Sequence, residues 1–169
     1  MSALVLVNTV QANGTNSVVL DGIDTNDVYF FTGTGIKADG YVSYGWIRAW
    51  DGSAPVTTNY TNSQFAIRSD SADTVLTSVV DKLTYGWAWV MSAGTSVNVV
   101  GHLFNFYNAT GWSWIKSHFV DVYNSTNALG VNSSSQITNA ASYTGITFIA
   151  DDPAVNITDG EFKLYRIKS

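Results

Sequence analysis

Gly160-Glu161-Phe162-Lys163-Leu164-Tyr165-Arg166-Ile167-Lys168 stands one residue from the end of the sequence. On an extended strand Glu161, Lys163 and Tyr165 fall on one side, and Phe162, Leu164 and Arg166 on the other. That alternation is what a half-buried strand requires. A strand in this position pairs only with earlier segments, so it closes a sheet.

Working back from it, the chain breaks into short apolar runs bounded by Gly, Asn, Asp and Ser. Leu4 to Val10 is a first strand, followed by an Asn13-Gly14 turn whose residues tolerate positive φ. Ser17 to Asp21 is a second strand, with Val18 and Leu20 on one face. Val28-Tyr29-Phe30-Phe31 is a third, dense enough to be central and covered on both sides. Gly33 to Gly40 reads as a loop. Tyr41 to Trp50 alternates most clearly: Val42, Tyr44, Trp46, Arg48 and Trp50 on one face, Tyr41, Ser43, Gly45, Ile47 and Ala49 on the other. Asp51 to Pro55 is a turn. Gln64 to Arg68, Tyr85 to Met91, Val97 to Tyr107, Trp112 to Val122 and Ile146 to Ile149 are further strands.

Two stretches read differently. Leu76, Val79, Val80 and Leu83, within Thr74 to Leu83, fit the spacing of a short amphipathic helix or an irregular crossover. Asn124 to Ser135 is polar and loop-like around Leu129 and Val131. The sum is about nine or ten strands, at most one short helix and no βα alternation, which predicts an all-β antiparallel sandwich. With 169 residues, no fixed-period repeat and no linker, the expectation is one domain over 1–169.

Composition agrees. Charged residues make up only 12% and aromatics 14%, with a single Glu, which favours strands over helices. A net charge of −5 argues against nucleic acid, which expects a basic face. The absence of Cys removes disulfides, thiolate nucleophiles and Cys-ligated zinc. Met1 to Val7 is apolar without a basic leader, so the sequence reads as made without a secretion signal. No stretch approaches the roughly 20 apolar residues of a membrane span, so no membrane partner is expected.

Catalytic constellations are thin. Asp151, Asp152, Asp159 and Glu161 form the densest acidic group and raise the question of a hard cation, but their spacing matches no calcium loop. A turn-and-rim role is the better reading, and no metal or cofactor is implied. His102 and His118 lie on strands, with Asp121 three residues after His118, yet no G-x-S-x-G or phosphate-binding glycine motif accompanies them. No enzyme is expected. Six Asn-x-Ser/Thr sequons follow from an Asn-, Ser- and Thr-rich composition.

The tryptophans form three even-spaced pairs, Trp46/Trp50, Trp87/Trp89 and Trp112/Trp114, each on one face of its strand. Such rows suit stacking on saccharide rings, with host glycans as partners. They equally suit a sandwich core or a subunit interface, where Trp packs well. Packing is favoured, since six exposed Trp would leave a large sticky surface.

At its two ends the sequence resembles a family of small virion structural proteins of tailed bacteriophages. The resemblance rests on Leu4-Val5-Leu6-Val7-Asn8-Thr9-Val10-Gln11-Ala12, on Asp27-Val28-Tyr29-Phe30-Phe31 after the Ile23-Asp24 turn, on Tyr143-Thr144-Gly145-Ile146-Thr147-Phe148, and on Asn156 to Ile167. It covers about a third of the chain. Arg166 stands where the family has Gly, and Phe162 where it has Ile. The resemblance implies a jelly-roll-like sandwich, assembled as a homotrimer in the host cytoplasm onto a virion. There it would bind the major capsid protein as a decoration or cement protein, or serve in a tail or fibre. No catalytic residues carry over.

Overall fold

A computed structural model describes residues 3–40, 42–68, 75–80, 86–91, 95–123 and 127–168. They form twelve strands: β1 (Ala3–Gln11), β2 (Ser17–Asp21), β3 (Val28–Ala38), β4 (Val42–Trp50), β5 (Tyr60–Arg68), β6 (Val75–Val80), β7 (Gly86–Met91), β8 (Val97–Phe104), β9 (Ser113–Tyr123), β10 (Asn127–Ile137), β11 (Gly145–Ala150) and β12 (Ile157–Lys168). Among the described residues there is no helix.

Two antiparallel sheets result. The larger runs β1-β12-β3-β8-β9-β10-β5-β6 and the smaller β2-β11-β4-β7. The chain's two ends pair with each other, β1 on β12. Inside them β2 pairs with β11, β3 with β8 and β4 with β7. This nesting is one long antiparallel hairpin rolled into a two-layer sandwich, the jelly-roll wrapping. The pair β5 and β6, between β4 and β7 in sequence, and the pair β9 and β10, between β8 and β11, add four strands to the larger sheet.

The closing strand behaves as its alternation predicts. Phe162 and Leu164 are buried, while Glu161, Lys163 and Tyr165 face outward and are partly exposed. Arg166, at the frayed end of the inward side, reaches Asp24 at 3.4 Å and Asp27 at 3.7 Å. Across the sandwich, Phe148 on β11 packs against Phe31 on β3, with ring centroids 5.7 Å apart, and against Phe162 on β12 at 4.8 Å. These three fully buried rings join the layers. Gly101 on β8 makes room for one of them: a Cβ there would overlap the Phe31 ring and the Lys116 carbonyl of β9.

Several stretches differ from expectation. Within the expected helix or crossover at Thr74 to Leu83, Val75–Val80 is strand, paired antiparallel with β5, and its β-branched valines suit that pairing; residues 74 and 81–83 lie outside the described ones. Asn127–Ile137 is a strand inside the larger sheet, bonded to β9 and β5, although residues 124–126 of that expected loop lie outside the described ones. It is legible only once alternation is read through polar residues. Leu129, Val131, Ser133, Ser135 and Ile137 are all buried, and the Ser133 and Ser117 hydroxyls bond each other at 2.6 Å. Of the expected loop at Gly33 to Gly40, residues 33–38 are instead the second half of β3, and Asp39 and Gly40 lie beyond its end. There a register shift between Gly33 and Ile36 absorbs Gly35, whose φ is 63°. β3 is central, as its density predicts, yet covered on one face only: Tyr29 and Phe31 are buried, while Val28 and Phe30 look out, half-buried.

Tyr60 on β5 ties the larger sheet to β4. Its buried hydroxyl accepts from the Ala49 amide at 2.8 Å and donates to the Val56 carbonyl at 3.1 Å. Burial pushes its ionisation far above the ordinary tyrosine range.

Phe148→Ala is expected to cost about 3–5 kcal/mol in urea unfolding, since it empties the space between Phe31 and Phe162. Tyr60→Phe is expected to cost about 1–3 kcal/mol by leaving the Ala49 amide buried without an acceptor. A cost under half a kcal/mol for either would show that the layers are held elsewhere.

Candidate functional site

Nine large hydrophobic side chains are exposed among the described residues, and their placement is one-sided. Leu4, Leu6, Ile67, Val100, Phe104, Trp114 and Val120 point outward from the larger sheet. Tyr107 and Trp112 sit in the turn that leads into β9. Apolar side chains gathered on one open face are a mark of interaction sites.

The pairing register lays this face out in rows, because directly opposed residues share a side. One row runs Leu6, Tyr165, Phe30, His102, Lys116, Ser134, Ser63 across β1, β12, β3, β8, β9, β10 and β5. The next holds Leu4, Ile167 and Val28, and, further across the sheet, Phe104, Trp114, Gln136 and Thr61. Rings continue through the first row: Tyr165 to Phe30 at 6.1 Å and Phe30 to His102 at 5.2 Å. His102 then meets Phe104 along β8 at 6.1 Å.

The face has two characters. Its β1-β12-β3 part is apolar at the end where Leu4 and Leu6, 61% and 54% exposed, stand beside Ile167 and Tyr165, and it reaches the sheet edge at β1. A depression of about 260 Å³ lies here, lined by Ala3, Leu4, Phe30, His102 and Ile167. The β8-β9-β10 part mixes rings with polar groups and cations. Its strand β9 projects Trp114, Lys116 and His118 outward, while Ser113, Ile115, Ser117 and Phe119 point into the core.

The expected tryptophan pairs therefore part company. Trp112 and Trp114 are 54% and 45% exposed on the larger sheet. Trp46 and Trp50 lie half-buried on the outer side of the smaller sheet, opposite the buried Gly45, Ile47 and Ala49. The Arg48 guanidinium sits 4.8 Å above the Trp46 ring, a cation–π contact that occupies it. Packing into the sandwich core, one of the two structural readings, does not hold for these four, because alternation gives the core to the smaller residues between them. Trp87 and Trp89 fall on β7, and their side chains lie outside the described residues. The aromatics that sequence reasoning missed here are Phe30, Phe104 and Tyr165. Their outward parity on otherwise apolar strands was the available signal.

The acidic group does not converge. Glu161 pairs with Lys163 at 2.6 Å and Asp159 with Lys37 at 3.5 Å, while the Asp152 carboxylate accepts from the Ala154 amide at 2.9 Å. No cluster with metal-ligating spacing occurs among the described residues. His102 and His118 stand on neighbouring strands of the outer face, and the side chain of Asp121 lies outside the described residues.

No protein-family model and no curated protein matches this chain. Among solved structures, a marine PL-14 alginate lyase from Aplysia kurodai is similar at 8% identity, with a TM-score of 0.37 over 95% of this chain and 82% of that one. A likeness that distant says nothing of what this chain does.

Burial, followed by the charges of His118 and Lys116, holds the His102 imidazole below its ordinary value of 6.5. Between that folded-state value and about 6.5 the unfolded chain binds a proton that the folded chain does not, so stability falls as pH drops through this window. His102→Gln is expected to flatten the loss between about pH 7 and pH 5, read as the difference in thermal midpoint between the two proteins. Parallel curves would place His102 in a solvent-like environment.

Proposed function

We propose that this chain is a non-enzymatic structural protein of a tailed-bacteriophage virion. In this reading it decorates or cements the head shell as a homo-oligomer, a trimer as the resemblance implies, assembled in the host cytoplasm. The observation that carries the self-association is the open apolar end of the larger sheet. Leu4 and Leu6 line a strand with an unpaired edge, beside Tyr165, Ile167 and Phe30. Edge strands of monomers are normally guarded by Lys, Pro or a short length. β1 is nine residues long and has no charged residue. Its guard on this reading is a second protomer or the major capsid protein, across an interface on the order of 1,600 Å².

The jelly-roll wrapping and the terminal motifs support the virion role. A place in the tail or fibre uses the same surface and differs only in the partner. The experiment measures mass by light scattering and binding to purified undecorated heads and to tails. The expected result is a homo-oligomer at micromolar concentration that cosediments with heads. Replacing Leu4 and Leu6 together by Asn should yield a folded monomer that no longer cosediments. A wild-type monomer with no affinity for heads or tails would overturn the proposal.

A further inference from the structure

We propose that the β8-β9-β10 region of the larger sheet's outer face binds an acidic polysaccharide of the uronate class. This goes beyond the virion role and does not depend on it.

The register builds a three-by-three grid. Phe104, Trp114 and Gln136 stand side by side, then His102, Lys116 and Ser134, then Val100, His118 and Asn132. Trp112, exposed in the turn just before β9, stands two residues before Trp114 in the chain. Each row supplies something a saccharide needs. The face of an indole ring carries negative quadrupole, which meets the partly positive C–H face of a pyranose. Trp112 and Trp114 have about half of their surface open for that contact. Gln136, Ser134 and Asn132 line β10 with amide and hydroxyl groups that both donate and accept, as sugar hydroxyls do. An open sheet face presents them side by side.

Charge selects among saccharides. The chain has 13 acidic residues against 8 basic ones, yet no carboxylate stands in this grid. Glu161, on the outward side of β12 two strands from β8, is already paired with Lys163. Lys116 has no acidic partner among the described residues; His102 stands beside it in the same row, and His118 stands in the next row. This complementarity is sparse: one fixed cation and two imidazoles. It suits a polymer with about one carboxylate per ring. Heavily sulfated chains and nucleic acid backbones expect several Lys or Arg along the track, and the grid has none beyond Lys116. The apolar end at Leu4 and Leu6 has fewer such groups, the Tyr165 hydroxyl and, on its border with this site, His102.

The test titrates the full-length chain with oligogalacturonate, with maltodextrin as the neutral arm and a heparin oligosaccharide as the sulfated arm. The expected result is oligogalacturonate binding about tenfold tighter than maltodextrin, weakening as salt rises. Trp114→Ala should lose about tenfold in affinity for both, with an unchanged circular dichroism spectrum; Trp112→Ala is the second variant should the first not fold. Lys116→Met should erase the preference for the acidic sugar and leave maltodextrin binding as it was. The Leu4 and Leu6 double variant should bind as wild type does, so that loss of assembly and loss of sugar binding are told apart. Absence of oligogalacturonate binding, equal affinity for maltodextrin, tighter binding of heparin, or affinity indifferent to both tryptophans would each overturn the proposal.

Discussion

Phe148, wedged between Phe31 and Phe162, is the contact on which the two layers depend. It comes from the smaller sheet and meets β3 and β12, neighbouring interior strands of the larger one. Apolar burial is non-directional and needs only area, but rings of this size also fix the spacing and angle of the layers that carry them. Gly101 belongs to the same constraint, since its missing side chain leaves Phe31 its space. Once the layers are set, the parity of every strand is set with them, and each outward residue is committed to solvent or to a partner.

That commitment is unequal on the two outer faces. On the smaller sheet, among the described residues, Thr147 is buried and Arg48 covers Trp46. On the larger sheet the outward rows carry Leu4, Leu6, Phe104, Trp114 and Val120 in the open. The four strands added to the rolled hairpin matter here. β9 and β10 widen the larger sheet beyond what the smaller one needs for closure. They also bring Trp114, Lys116, Asn132 and Gln136 onto one face.

Much of the fold is legible from residue order. Alternation in Tyr41 to Trp50 and in the closing strand gives the correct inward sets, Ile47 and Ala49 in one, Phe162 and Leu164 in the other. The stretches that misread share a cause. In Val75–Val80 three apolar residues imitate helical spacing, and only a neighbour across the ladder reveals a strand. In Asn127–Ile137 buried serines stand where a core residue is normally apolar, and their cost is met by a hydroxyl partner on the next strand. The candidate site is less legible. Even spacing places Trp112 and Trp114 on one side, but Phe104, Lys116 and Asn132 join them only through cross-strand pairing.

The sequence by itself determined the class of structure, because a period of two in short runs between turn residues leaves antiparallel sheets as the way to bury one face of each. It also determined that the two ends carry strand signals strong enough to pair. Only the tertiary structure decided which side of each strand faces water. A pair of tryptophans at even spacing is the same pattern whether it points into the sandwich or away from it. The choice is made by what lies opposite: Gly45, Ile47 and Ala49 take the core on β4, and Ile115 and Phe119 take it on β9.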